Sequence, residues 1–252
     1  HYLPELEGTA YRGATVQQVL DMQSGTRFDE TYTAPDSHIA MVDAACGWKV
    51  PEPGWPETMW QLILRLGERE AAHGESFRYR SIETDVLAFI LQRASGLMLP
   101  ELVSRELWAA MGAEEDAYFT VDRAGYGLAD GGFNATLRDY ARFGQLIANS
   151  GATHGRQIIP RGFLKDLPNG DHAKFGVDYR LVLPKGAYHN QFWVEEAGKP
   201  VVMCRGVFGQ LIYIDPDREF VTVKLSSWPE FTSPRRTRNA LAAIHAIRAA
   251  LG

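Results

Sequence analysis

"GQLIYIDPDREFVTVKLSS", residues 209–227, is the stretch on which the fold turns. Two strand-like segments, "GQLIYID" and "EFVTVKLSS", flank an Asp-Pro turn, as two neighbouring strands would. Just upstream, "VDYRLVL", "HNQFWVEE" and "PVVMCRGV" carry the same signal with Gly or Pro punctuation between several of them. The last third therefore reads as an antiparallel meander, closed by a helix from about Arg235 to Leu251.

The preceding part of the chain is mostly helical. "ATVQQVLDM" spaces Val16, Val19 and Leu20 on one face of a short helix, which "SGTR" ends through Gly25. Residues 28 to 54, rich in Asp, Pro and Gly, read as a long ordered loop of the kind that lines a site. A helix follows from Pro56 to Leu66, with its proline in the first turn. Ser81 is predicted to N-cap the next one, with Glu83 and Asp85 in the positively polarised first turn. Val86, Phe89, Ile90 and Ala94 follow the i, i+3, i+4, i+8 spacing of its buried stripe. "LPELVSRELWAAMG" is a helix ended by Gly112, "YFTVD" a strand, and Asn134 a cap for the helix in "ATLRDYARFGQLIANSG". Helices first, a meander late and a closing helix predict an α+β fold with helices packed on a sheet. One domain over 1–252 is expected, mostly helical over 1–170, with strands and the closing helix over 171–252. The doubly wound alternation of a nucleotide-binding fold is absent.

Bulk properties narrow the function. At 252 residues the chain can bury an ample core, and 45% hydrophobic with 23% charged residues is ordinary for a globular protein. A net charge of −5 without a basic run argues against nucleic acid. No apolar stretch approaches the ~20 residues that span a bilayer, so no membrane partner is expected. Cys46 and Cys204 could pair or stand as reduced core residues. The seven histidines show no HExxH or HxH spacing and no CxxC occurs, so neither metal nor cofactor is expected. His172 and His189 sit in polar loop sequence and read as solvated. The chain opens at His1 on what reads as mid-protein sequence, so it is expected to be the C-terminal portion of a longer protein. No basic-then-apolar leader is visible, and a cytoplasmic location is the corresponding expectation.

Chemistry centres on "GESFRYRSIETDVLAFIL", residues 74–91, where Tyr79 lies between Arg78 and Arg80 and Ser81 opens an apolar helix. A phenol has a pKa near 10 and serves as a base at neutral pH only where cations or hydrogen bonds favour its phenolate. An aromatic at a helix start can equally be a packing residue with a wet hydroxyl.

"YRS" opening a helix resembles the Tyr-x-Asn or Tyr-x-Ser motif of the class C β-lactamase-like serine hydrolases, a group with DD-peptidases, esterases and 6-aminohexanoate-dimer hydrolases. "YLPELEGTAYRGATVQQVLDMQSG" resembles the segment after their nucleophile helix. "TVDRAGYGLADGGFNATLRDYARFGQLI" and "RGVFGQLIYIDPDREFVTVKLSSWP" resemble their middle segment and late strand pair. "DMQSG", "ADGG", "GQ" and "KLSSWP" are most similar to the 6-aminohexanoate-dimer hydrolase branch. The resemblance implies a serine β-lactamase-like fold lacking its first strands and nucleophile helix. It also implies cleavage of a small ester or amide through an acyl-enzyme.

It assigns residues as well. Tyr79 would pass protons between nucleophile and leaving group, and Ser81 would orient a substrate amide or the proton relay. Val207 would offer its backbone N–H to the oxyanion, on a strand whose Phe208 and Gly209 line the substrate. Phe208 stands where a basic residue or histidine is common, and Phe28 where the branch has a tyrosine on the scissile amide. Asp130 would line the pocket; of the six tryptophans, which read as core or rim residues, Trp193 is the one expected near the pocket. The family's Ser-x-x-Lys is missing: none of the serines at 24, 37, 76, 81, 95, 104, 150, 226, 227 and 233 has lysine three residues on. Two readings remain: a serine hydrolase whose nucleophile lies upstream of residue 1, or a non-catalytic binding module that kept the fold.

Overall fold

The late strand signals pair as the sequence predicts. In the computed structural model, which describes residues 1–251, the chain divides into two units. One comprises His1–Arg105 with Ala117–Asn134, the other Glu106–Asp116 with Ala135 onward.

The first unit is built on helices α1 (Val16–Leu20), α2 (His38–Ala45), α3 (Met59–Arg65), α4 (Ser81–Ser95) and α5 (Leu99–Val103). A two-stranded ribbon joins them, β1 (Tyr118–Phe119) antiparallel to β2 (Phe133–Asn134). Its core gathers Leu6, Tyr11, Val19, Phe28, Ile39, Leu62, Ile63, Ile82 and Val86. Several boundaries differ from expectation, each for a local reason. Helix α1 stops at Asp21 because Met22 takes a left-handed φ of 55°, three residues before Gly25. The predicted 28–54 loop contains α2, whose start is held by Ser37 accepting from the Ala40 N–H at 3.2 Å. Five of its eight residues are buried, so it lacks the one-sided periodicity that marks a surface helix. Thr58, not Pro56, precedes α3, accepting from the Gln61 N–H at 3.2 Å. On α4 the buried positions cluster in the first two turns, Ser81 to Ala88, whereas Ala94 is exposed.

The second unit carries α6 (Ala109–Met111), α7 (Leu137–Ala148), a small ribbon of β3 (Ala152–Thr153) with β4 (Arg156–Gln157), α8 (Arg161–Asp166) and α9 (Val177–Arg180). It then forms a five-stranded antiparallel sheet in sequence order: β5 (Ala187–His189), β6 (Phe192–Val194), β7 (Val202–Gly206), β8 (Gln210–Asp215) and β9 (Phe220–Lys224). Register aligns Leu211 with Lys224 and Asp215 with Phe220 across the Asp-Pro turn. Helix α10 (Pro234–Ala250) closes the chain. Residue β8 positions alternate in face: Ile212 and Ile214 join a cluster with Ile147 and Ala148 of α7, while Tyr213 meets Arg248 and His245 of α10. Helices therefore cover both faces, which explains why "QLIYID" is apolar almost throughout. "VDYR" is helical rather than extended, and Asn134 lies in β2 while Thr136 caps α7 by accepting from the Asp139 N–H at 3.1 Å.

Both cysteines are free thiols. His172 and His189 are anchored rather than solvated: His172 Nδ1 lies 2.7 Å from the Gly186 carbonyl, and His189 Nε2 lies 2.8 Å from Asp166. Among the described residues no single helix is long and apolar enough to cross a membrane.

Candidate active site

The segment before α4 runs extended alongside Met22, with the Arg78 N–H donating to the Met22 carbonyl at 3.1 Å. Extended backbone sends successive side chains to opposite sides. Phe77 is buried, Arg78 exposed, Tyr79 half-buried and Arg80 buried at 1% exposure. Both flanking guanidinium groups are committed to Glu70, each at 2.5 Å, and Arg80 also reaches Glu83 at 3.4 Å and the Arg78 carbonyl at 3.0 Å. Glu70 is thus the shared carboxylate of both arginines.

Ser81 is the first residue of α4 instead of its cap; Arg80 takes the cap position without a side-chain cap bond. Glu30 replaces the cap from outside the helix. It accepts from the Ser81 N–H at 3.0 Å, from the Ser81 hydroxyl, and from the Tyr32 hydroxyl at 2.9 Å. Such a carboxylate at a helix start meets both an orphan donor and the positive end of the dipole. Burial still pushes the Glu30 carboxyl upward, outweighing these donors. Burial likewise raises the Tyr32 phenol, with Glu30 and then Tyr79 adding to the effect. Tyr79, Tyr32, Glu30 and Ser81 thus form one interacting group. Glu30 and Tyr32 were absent from the sequence-derived candidates; the only signal pointing to them was the Asp/Pro/Gly-rich segment that contains them.

A second group of carboxylates lies one turn along α4. Asp85 is 2% exposed and accepts from the Ala129 N–H at 2.8 Å. Its Oδ2 and the Oδ1 of Asp130 are buried without a hydrogen-bond partner among the described residues. Burial and then Glu30 and Asp43 push Asp130 up to about 7; burial and then Asp130 push Asp85 well above the carboxylate range. Glu83 is pushed up to about 8 by burial, against the pull of Arg80 and of the Ser24 hydroxyl bonded to it. Phe28 is 1% exposed in the core and stacks on His38 at 5.4 Å, away from solvent.

The remaining candidates belong to the second unit. Val207, Phe208 and Gly209 form the turn between β7 and β8. Phe208 adopts φ 56°, ψ 18°, a left-handed conformation that costs a residue with a side chain about 1–2 kcal/mol. It is held on all sides. Its N–H donates to the Phe231 carbonyl at 2.9 Å, its carbonyl accepts from the Trp228 N–H at 3.1 Å, and its ring packs on Phe231 at 4.8 Å. Gly209 is at φ 85°, and a Cβ there would run into the Trp228 ring and sit 2.7 Å from Ser226 Oγ. Trp193, on β6, is 7% exposed in a cluster with Tyr179, Tyr188 and Phe175, and the Arg205 guanidinium lies 4.4 Å from its ring centre.

These residues and their order along the chain can be set against known proteins. The sequence model of the family described as beta-lactamase matches residues 1–247. The 6-aminohexanoate-dimer hydrolase of Paenarthrobacter ureafaciens is 36% identical over 231 residues, 91% of this chain and 58% of that protein. A solved structure provisionally assigned as a 6-aminohexanoate-dimer hydrolase, from Bacillus anthracis, superposes with a TM-score of 0.85 at 31% identity, covering 99% of this chain and 64% of the other. A class C β-lactamase mutant shares the fold at a TM-score of 0.64 and 16% identity, covering 96% of this chain and 74% of the other. The chain therefore spans about three-fifths of the length of the two 6-aminohexanoate-dimer hydrolase relatives. An antiparallel meander with helices on both faces, a Tyr-x-Ser helix start and a family match over nearly the whole length lead to one conclusion: this chain belongs to the β-lactamase family.

Proposed function

We propose that this chain is the larger, C-terminal part of a single β-lactamase-like domain in a serine hydrolase that cleaves an ester or amide through an acyl-enzyme. The observation that carries the reading is the start of α4, where Glu30 and Tyr32 hold Ser81 and so fix the backbone that presents Tyr79. Tyr79 is the proton carrier: it takes the proton that the attacking serine loses and returns it to the leaving oxygen or nitrogen. The cation that favours its phenolate is the lysine of a Ser-x-x-Lys which these 252 residues do not contain, while Arg78 and Arg80 both pair with Glu70. The Val207 N–H is an oxyanion donor, an interaction worth about 3 kcal/mol in the transition state. Ser81 acts through Glu30, not as a free hydroxyl.

The substrate is a small linear ester or amide. Asp85 and Asp130 each keep a buried oxygen without a hydrogen-bond partner among the described residues, beside Glu30; a substrate ammonium there would restore the charged carboxylates that burial disfavours. That fits the 6-aminohexanoate dimer named for the two relatives. Short p-nitrophenyl esters and a fluorophosphonate probe, applied to the full-length protein, test the reading. Turnover together with labelling of a serine in Ser-x-x-Lys supports it. A folded full-length protein that neither turns over nor labels is a binding module, and the reading is then wrong.

A further inference from the structure

Lys224, at the end of β9, is the side chain best placed to act on the Val207–Gly209 turn. Its ammonium donates to the Gly209 carbonyl at 3.0 Å and to Ser226 Oγ at 2.5 Å, and lies 4.5 Å from the centre of the Trp228 ring. Ser226 relays this hold. Its hydroxyl lies 2.9 Å from the Phe208 carbonyl and 2.8 Å from that of Gly209, and its backbone is matched by Gln210, whose amide accepts from the Ser226 N–H at 2.9 Å and donates to the Ser226 carbonyl at 2.6 Å. Two consecutive carbonyls are thereby gathered on one cation–hydroxyl pair. Because a trans peptide points its N–H opposite to its C=O, the Phe208–Gly209 and Gly209–Gln210 peptides have their orientation set from the Lys224 side, which anchors the turn that begins at Val207. A left-handed Phe208 would otherwise relax, since such strain persists only where the surroundings over-determine it.

We propose that Lys224 and Ser226 are positioning residues for the oxyanion donor, a charged clamp that holds the Phe208–Gly209 turn so that the Val207 N–H keeps its catalytic geometry. The proposal rests on the assignment of Val207 as oxyanion donor. The polar atoms in this clamp are otherwise hard to account for: an ammonium and a hydroxyl on a strand end satisfy carbonyls that a regular hairpin would leave to water. The chemistry suits the task. An ammonium donates up to three hydrogen bonds and here spends two on the turn, while Trp228 excludes water from its side. Ser226 is not read as a second nucleophile, because its hydroxyl faces two carbonyls and a charged donor, leaving no base to take its proton.

The test uses the full-length enzyme and p-nitrophenyl butyrate. Lys224→Met keeps the stem against Trp228 and removes the ammonium. It should lower kcat ~10-fold or more with KM within about twofold, because misplacing a transition-state donor by a fraction of an ångström affects kcat first. Ser226→Ala should act in the same direction, and Lys224→Arg should recover part of the loss. The rate of fluorophosphonate labelling should fall by the same factor as kcat. Amide hydrogen exchange over residues 207–211 should accelerate in Lys224→Met and Ser226→Ala relative to the wild type, a readout that needs no turnover. If both variants fold and keep wild-type kcat and exchange rates while Tyr79→Phe abolishes turnover, the clamp is overturned and the enzyme reading stands. If exchange accelerates but kcat is unchanged in an active enzyme, the clamp is purely structural and the proposal fails. If the wild type itself is inactive, the enzyme reading fails and takes the proposal with it.

Discussion

Tyr79 is flanked by two arginines in sequence, yet the structure pairs both guanidinium groups with Glu70, while Tyr32, itself bonded to Glu30, interacts with the Tyr79 phenol. In the proposed mechanism its positive partner is the lysine of Ser-x-x-Lys. Replacing Tyr79 by Phe in the full-length protein should cut kcat ~10²-fold or more, the scale of general acid–base loss, with an unchanged thermal melt. Steady-state kinetics beside circular dichroism checks it, and near-normal turnover would leave Tyr79 as a packing aromatic. Asp130 makes a different prediction. Its folded-state pKa is about 7 against an ordinary 3.8, so the folded protein holds this proton longer than the unfolded chain. The associated stability is complete below pH ~4 and is lost as pH rises through 7. Asp130→Asn removes the charge that burial penalises. Its melting temperature should exceed that of the wild type by ~4 °C or more at pH 8, and the gap should narrow at pH 5. A constant gap between the two pH values would show that the carboxyl titrates normally.

Among the elements, α7 shows how packing overrides propensity. Gly144 lies mid-helix, where alanine would be favoured by about 1 kcal/mol. A Cβ there would come within 2.5 Å of Val221 Cγ1 and 3.3 Å of Ile212 Cγ2, both on the sheet beneath. Valine is branched at Cβ and cannot swing aside, and overpacking of this kind costs about 1–3 kcal/mol. Gly144→Ala should therefore lower stability by ~1 kcal/mol, read as a reduced urea midpoint with unchanged slope. A raised midpoint would mean that α7 can lift off β8 and β9. The same element scale explains the misread boundaries. Ser81 looked like a cap from sequence, but the carboxylate of Glu30, 51 residues away, supplies that service through space.

At the scale of the molecule, the proposed reaction divides its parts between what these residues hold and what they lack. They hold the residues proposed as proton carrier, oxyanion turn and acidic substrate group, but no Ser-x-x-Lys. Produced alone, residues 1–252 should give no ester turnover and no fluorophosphonate adduct by mass spectrometry, whereas the full-length enzyme should give both. An adduct on any serine of residues 1–252 would show that the nucleophile has been misassigned.

Strands β7 to β9, the closing helix and the α4 helix were legible in the sequence because their signals are local: an apolar run, a Pro turn and an i, i+3, i+4 stripe are properties of neighbouring residues. The Tyr-x-Ser start and the "GQ" strand were legible for the same reason, being short motifs in fixed order. The sequence could not reveal α2, which is buried on most sides and so lacks periodicity, nor the helical state of "VDYR", where a strand-like composition yields to its position in the fold. Above all, only the tertiary structure decided that Glu30 holds Ser81, that Glu70 takes both arginines, and that Lys224 and Ser226 gather the carbonyls of a strained turn. Those pairings join residues from 8 to 51 positions apart, or side chains to carbonyls across a sheet edge. Charge and hydrogen bonding act through space, and no pattern of adjacent letters encodes which distant partner the fold will bring within 3 Å.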